Sequence, residues 1–546
     1  MATQESFRFK KFDNVGVADA EDDGDFLKDC FVDKGDLEML LAPSDHRRLI
    51  LGRTGSGKTA LITRLLETGH RVIQVPPEDL ALNYISNSTT LQFIEKLGVK
   101  LDVFYRLLWR HVFTVELIKA HRQIDDEASR LAFVQWFKDR ISDKKQRRAL
   151  EYLQKWGDSF WEETQERIKE ITTRIETEVQ DAIKVSVPHI SFDAKDIDKL
   201  SVEQKVEILH QSQQVVNNIQ VQQLSTIIEM LDNLLDDPQK RYFILIDRLD
   251  EDWIEDRLRH LLIRGLIDTV REFRKVRQAK IVVCLRYDLI DRVFRLTRDP
   301  GFQEEKYEAM YLELGWTREQ LIDLLDARVN HMVRRRYTKQ RVFARDLLPR
   351  TSSKPDVSLD FILERTLMRP RDVIDFFNRC IAQAADNPKI TPQMLKQAEL
   401  EYSQYRLRSL VDEWFADYPN LQKFVTILKE RPTTFALDEI TDEETEEFCL
   451  SVLSHNIEKQ DALTGAANQV FDGNLTEVDF RKSLILIFYK IGIVGLKLQN
   501  FESVTWTYKG RRTVQPEELK PNVRVSIHPC LWRVLGIRES KSRKAA

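Results

Sequence analysis

Apolar positions in this chain fall into two patterns that alternate along its length. Short strand-like apolar runs occur at "RLIL" (48–51), "HRVIQVPP" (70–77), "RYFILI" (241–246), "KIVVCL" (280–285) and "KYEAMYLEL" (306–314), continuous in the first, third and fourth after their leading charge and broken by polar residues in the other two. Their length, branching and polar boundaries predict strands buried on both faces of a parallel sheet. Segments such as "KTALITRLLE", "TREQLIDLLDARVNHMVRRR" and "RPRDVIDFFNRCI" instead repeat apolar residues at helical spacing. "TPQMLKQAELEYSQYRLRSLVDEW" extends this as one long helix, with Thr391 as N-cap and Pro392 at its first position. Between the second and third strands lies a long insertion. In it Ile168, Ile171, Ile175, Val179 and Ile183 form one narrow stripe among charges, as in a helical hairpin or in an arm that binds a partner or a second copy. From about Pro419 the pattern changes again, and "SVTWTYKG" and "NVRVSIHP" read as two strands of a β-ribbon joined by a polar connection.

Composition narrows the class. With 546 residues, 42% hydrophobic and 32% charged, the chain can bury a large core and divide into smaller units. The 84 basic and 88 acidic residues leave a formal charge of -4, which argues against a general polyanion binder without excluding a local basic face. Five cysteines, widely spaced and without CxxC, suggest neither disulfides nor zinc and fit a reducing compartment. "MATQESFRFKKFD" lacks the apolar core of a signal peptide, and Arg106, Arg110 and His111 interrupt the most apolar stretch. The expectation is a cytoplasmic protein with no membrane span.

The chemistry is concentrated where strands end. "GRTGSGKT" places Gly52, Arg53, Thr54, Gly55, Ser56, Gly57, Lys58 and Thr59 between a strand and a helix, with Ala60 next in that helix. This GxxxxGK[ST] spacing strips side chains so that main-chain N–H groups can close around phosphate oxygens at a helix N-terminus. Lys58 would bridge the β and γ phosphates, and the Thr59 hydroxyl would ligate Mg2+. In "ILIDRLDEDW" a buried strand ends in Asp247, a candidate Mg2+ ligand, while Asp250 or Glu251 would position the attacking water; the order of these two stays open. Arg286 ends the fourth strand and could read a γ-phosphate, or simply pair with Asp288 or Asp291. Arg371, in the first turn of the helix after Pro370, is poorly placed for the helix dipole unless an anion compensates it. Arg334 to Arg336 read as a solvated helix end. The ten histidines show no metal spacing, and no GxSxG elbow is present.

With these segments the chain resembles P-loop ATPases of the AAA+/STAND/KAP group. "GRTGSGKT" is similar to the AAA+ phosphate loop and "ILIDRLDE" to the DxxDE form of the STAND and KAP branches. Where the AAA+ pattern has glutamate after the Mg2+ aspartate this chain has Arg248, which moves the water-activating role to Asp250 or Glu251. Arg286 matches the strand-end sensor arginine of STAND proteins, and "RPRD" the start of a sensor-2 helix. "ADAEDDGDFLKDCF" and "AELEYSQYRLRSLVDEW" are similar to segments of a bacterial family within the group.

The resemblance implies an α/β P-loop sheet with a long helical insertion, a helical lid and a C-terminal winged-helix-like domain. The expected boundaries are an N-terminal segment at 1–45 packing on the ATPase core, the core at 46–330 with its insertion at about 80–240, the lid at 331–417 and the winged-helix-like domain at 418–546. It also implies ATP and Mg2+ as ligands, a homo-oligomer with Arg292, Arg295 or Arg298 acting in trans, a protein effector encoded nearby, and a role in antiviral defence. The wing would carry Lys509, Arg511 and Arg512, but the recognition-helix candidate "DFRKSLILIFYKIG" is largely apolar, which favours protein contact over DNA. A nucleotide-licensed DNA-binding protein and a non-hydrolysing signalling scaffold remain the alternatives.

Overall fold

The computed structural model describes residues 7–77, 88–123, 164–187, 190–192, 197–218, 239–251, 254–298, 303–336, 341–350, 356–454, 460–499, 501–509 and 512–538, with isolated positions between 129 and 139 and between 228 and 237. The chain divides into two units, each with its own apolar core. A sheet unit comprises Asp33–Arg53 and Leu61–Leu314. A helical unit takes the described residues up to Val32, Thr54–Ala60, and everything from Gly315 onward.

The five apolar runs form one parallel sheet: β1 (Leu49–Leu51), β2 (Arg71–Gln74), β3 (Tyr242–Ile246), β4 (Ala279–Leu285) and β5 (Tyr311–Glu313), in the order β2-β3-β4-β1-β5. β3 and β4 are buried at every residue, including Lys280 of β4, whose Nζ donates to the Met39 and Ala42 carbonyls. The connection leaving β1 runs toward the β2 edge, whereas that leaving the adjacent β4 runs toward β5. Such reversals open a crevice at the carboxyl ends of the strands. Register aligns these ends: Leu51 lies opposite Leu285, and Ile246 opposite Val283.

Helix α1 (Lys58–Leu66) begins directly after the glycine-rich loop. Helices α2 (Asp102–Arg122), α3 (Thr164–Ser186) and α4 (Val202–Asn218) occupy the described part of the insertion. Ile175, Val179 and Ile183 of α3 are buried in the same core as Ile208 of α4, so this part of the stripe serves internal packing; the side chains of Ile168 and Ile171 lie outside the described ones. Helix α5 (Asp256–Glu272) approaches α2 closely, since a Cβ on Gly265 would stand 2.9 Å from that of Tyr105. The Trp109 Nε1–H donates to the Leu262 carbonyl across this contact (2.9 Å), and Arg110 pairs with Glu272. Arg110, one of the residues that interrupt the most apolar stretch, is thus paired inside the unit. Among the described residues no helix is long and apolar enough to cross a membrane. Helix α6 (Tyr287–Leu296) follows β4.

In the helical unit, α7 (Arg318–Arg336), α8 (Pro370–Gln383) and α9 (Pro392–Glu413) pack together with residues 7–27. Pro370 and Pro392 each open a helix, and the Thr391 hydroxyl accepts the Met394 N–H, as expected of an N-cap. Beyond them come β6 (Thr434–Ala436), α10 (Asp442–Ser454), α11 (Ala462–Phe471), α12 (Glu477–Ile491), β7 (Val494–Lys497), β8 (Arg524–Ile527) and α13 (Trp532–Leu535). The strands form an antiparallel sheet ordered β6-β8-β7.

Here the structure corrects the expected ribbon. β8 pairs with β7 and β6, while the run at 503–509 contributes only one bridge, Leu496 to Thr505. Its side chains pack instead of pairing. A Cβ on Gly495 would fall 2.6 Å from Val504 and 2.7 Å from Trp506, so glycine lets this segment lie directly on β7. Trp506 and Tyr508 then meet His528 at 4.9 and 5.3 Å between ring centroids.

Candidate functional site

The glycine-rich loop owes its shape to its carbonyls. Three consecutive ones are engaged within the helical unit: Thr54 O accepts from Arg369 Nη1 (2.9 Å), Gly55 O from the Arg371 N–H (3.5 Å) and Ser56 O from Trp316 Nε1 (2.8 Å). In a trans peptide the carbonyl and the following N–H point in opposite directions. The N–H groups of Gly55, Ser56 and Gly57 therefore face away from these donors. Gly55 (φ +76°) and Gly57 (φ +98°) are left-handed and Ser56 between them is not. That alternation makes successive N–H groups converge into an anion-binding nest. Lys58, Thr59 and Ala60 follow in the first turn of α1, whose N–H groups have no partner within the helix. Ser56 is buried and its hydroxyl makes no hydrogen bond among the described residues.

Gly55 must be glycine on two counts. Beyond its left-handed backbone, an added Cβ would stand 2.8 Å from Arg371 Cβ and 3.0 Å from Arg371 Cδ. Arg371 thus lies against the loop, and its Nε donates to the Ala18 carbonyl (3.2 Å).

At the carboxyl edge of the sheet, the Gly52 N–H continues the ladder onto Leu285 O (3.3 Å), which puts Gly52 level with Arg286 on the neighbouring strand. Arg53, next in the chain, is half-buried. Asp247 follows β3, on the far side of β4 from β1 and about two strand spacings, roughly 10 Å, away. After it Arg248 is left-handed (φ +60°), an uncommon state for a side-chain-bearing residue and one that tends to persist at functional turns. This turn separates the two carboxylates that sequence alone could not order. Asp250 Oδ2 approaches Arg286 Nη1 at 3.7 Å, whereas Glu251 faces Arg248 at 3.8 Å, both of that pair being half exposed.

Arg286 itself forms a fork with Asp288 through Nε and Nη2 (2.9 and 3.0 Å), the pairing open to it from sequence. Arg292 is half-buried on α6, while Arg295 and Arg298 are exposed. Among the described residues no cluster of three or more His, Cys, Asp or Glu could hold a metal ion.

Two contributors escape the motif reading. Trp316 comes three residues after the end of β5 in the sequence, and the stretch following a parallel strand is the signal that could have found it. Arg369, in the residue before Pro370, gave none, because its partner is a main-chain carbonyl. Its guanidinium is 4% exposed and also meets Glu413 Oε2 (3.1 Å). Glu413 in turn accepts from Arg406 (3.3 Å), which pairs with Asp372 (3.0 Å). Burial works against the Arg406 charge, but Asp372 and Glu413 outweigh it and hold the pKa above the ordinary arginine range.

With the geometry in hand, known proteins offer two likenesses. Residues 319–411 match the family described as FunZ-associated C-terminal helical domain. Over 550 aligned residues, 97% of this chain and 68% of the other, it is 23% identical to the "Putative transposon gamma-delta 80.3 kDa protein" of Escherichia coli (strain K12).

Proposed function

We propose that the chain is a Mg2+-dependent ATPase of the P-loop AAA+/STAND-like kind, whose nucleotide state controls assembly or an effector partner. The observation that carries this is the turning of three loop carbonyls onto Arg369, Arg371 and Trp316, which turns the N–H groups of Gly55, Ser56 and Gly57 the other way, where they can converge on phosphate oxygens. Lys58 would add a positive charge for the β and γ phosphates. The Thr59 hydroxyl and Asp247 would hold Mg2+, which when bound offsets phosphate charge. Asp250 is the better candidate to orient the water and accept its proton as it attacks the γ-phosphorus and ADP leaves, because it faces Arg286 while Glu251 faces outward. Arg286 and Arg371 are the cations for the γ-phosphate.

The sheet order supports this reading, since β4 carries Arg286 between the loop strand and the Asp247 strand. The sheet order β6-β8-β7, with three helices between β6 and β7, supports a winged-helix-like C-terminal domain. Protein contact suits this domain better than DNA reading: α12 buries Phe480, Leu484, Ile485 and Phe488, its exposed Val478, Asp479 and Ser483 carry no positive charge, and Arg512 is bound to Glu502 and Glu518. Arg511 lies outside the described residues. Likeness to a transposon protein supports a chain carried on mobile DNA, a setting compatible with the antiviral role that the family resemblance implies.

Lys58→Ala should abolish ATP binding measured by calorimetry. Asp250→Asn should keep binding while stopping phosphate release, and Glu251→Gln should leave release largely intact. Undiminished hydrolysis by the double variant Asp250→Asn/Glu251→Gln would reject the assignment.

A further inference from the structure

Arg369 sits where a cation should be costly. It is nine-tenths buried or more, and its Nε and Nη2 find no hydrogen-bond partner among the described residues. Only Nη1 is engaged, shared between Thr54 O and Glu413 Oε2. Burying a guanidinium so incompletely satisfied is unfavourable unless its position is itself required. The backbone around it is specified as well: Met368 is left-handed (φ +53°), and Arg369 is held extended (φ -121°, ψ 140°), as the residue before a proline must be. Together these aim one guanidinium nitrogen at one loop carbonyl.

From these contacts we infer that Arg369 is a positioning residue that keeps the Thr54 carbonyl turned out of the nest and thereby pre-orders the loop for a phosphate chain. Glu413 supplies the countercharge and fixes the guanidinium from α9. The same helix carries Arg406, bonded to Asp372, and Ser403, whose hydroxyl donates to Cys530 O (2.6 Å) and accepts the Val534 N–H (3.1 Å). Arg369 does not touch phosphate in this scheme; it acts through the main chain of Thr54. The inference rests on the ATPase reading for its purpose, but its mechanical content concerns the loop itself.

Hydrogen exchange on the nucleotide-free full chain tests it. Arg369→Gln should speed exchange at the Gly55, Ser56 and Gly57 amides by roughly tenfold or more, the loss expected for one charge-assisted hydrogen bond. Exchange in β7 and β8 should match wild type. Arg369→Lys keeps the charge but offers a single nitrogen on a flexible stem, so it should fall between the two and supplies the comparison if the glutamine variant does not fold. Glu413→Gln should shift the same amides in the same direction. Unchanged loop exchange in the variants overturns the inference, as does acceleration spread evenly over the helical unit, which would mark a merely structural role. ATP titration of the wild-type chain separates the two readings: absence of binding alongside the predicted loop exchange would sink the ATPase assignment and leave Arg369 as the loop's brace.

Discussion

His528 shows how far one buried side chain can tie stability to pH. It has no exposed surface, its Nδ1 accepts the Cys530 N–H (3.2 Å), and its Nε2 lies 2.9 Å from the Tyr508 hydroxyl. With Nδ1 accepting, the neutral ring carries its proton on Nε2 and donates it to Tyr508. Burial, reinforced by Lys509 and Arg406, pushes the imidazole down from 6.5 to about 3. As pH falls below 6.5 the unfolded chain binds the proton and the folded chain does not, so stability present above 6.5 is lost toward 3. Urea unfolding at pH 7 and pH 4 should therefore show a smaller loss in His528→Gln than in wild type, although the variant starts lower; equal losses would show that His528 does not titrate this way. Legibility at this scale follows the kind of partner. Lys58, Thr59 and Asp247 stand out because their spacing and strand-end position are written in the chain. Arg369 and His528 do not, because each bonds groups that sequence does not distinguish: a main-chain carbonyl in one case, a main-chain N–H and a distant hydroxyl in the other.

For elements, the same distinction separates strands from their pairing. β1, β3 and β4 fall on the most apolar runs and are buried throughout, whereas the edge strand β2 is part-exposed and its run includes Arg71 and Gln74. The pairing of 503–509 was misjudged because alternation describes a surface, not a partner, and Gly495 allowed the segment to pack on β7 without forming a ladder. The glycine-rich loop offers a sharper test of what fixes an element. Gly55 and Gly69 are both left-handed, at φ +76° and +74°, but a Cβ at Gly69 would meet nothing within 4 Å while one at Gly55 would strike Arg371. Gly69→Ala should cost only the backbone term, about 1 kcal/mol. Gly55→Ala should cost that plus displacement of Arg371, about 2 kcal/mol or more in total, and should weaken ATP binding. Denaturant midpoints for the two variants decide the matter, and equal shifts would mean that Arg371 yields freely.

Across the whole molecule, folding depends on contacts that no local pattern announces. The run "ADAEDDGD" reads as a solvated acidic stretch, and most of its carboxylates are exposed. Asp23 is the exception. It pairs with Arg328 of α7, the two side chains 2% and 4% exposed, and Arg328 also donates to the Val15 carbonyl (2.9 Å). Phe9 and Val15 join the same core as residues beyond Leu321, so the amino-terminal segment is part of the helical unit's interior and not an appendage. Removing one partner of such a pair strands a desolvated charge, which typically costs about 3–5 kcal/mol, whereas replacing both by apolar groups of similar size can cost little. Asp23→Asn should accordingly lower the unfolding free energy by about 3 kcal/mol or more, and Asp23→Leu combined with Arg328→Met should recover most of that loss. If Asp23→Asn falls within about 0.5 kcal/mol of wild type in urea, the pair is not buried in solution, and the segment's place in this core rests on Phe9 and Val15 alone.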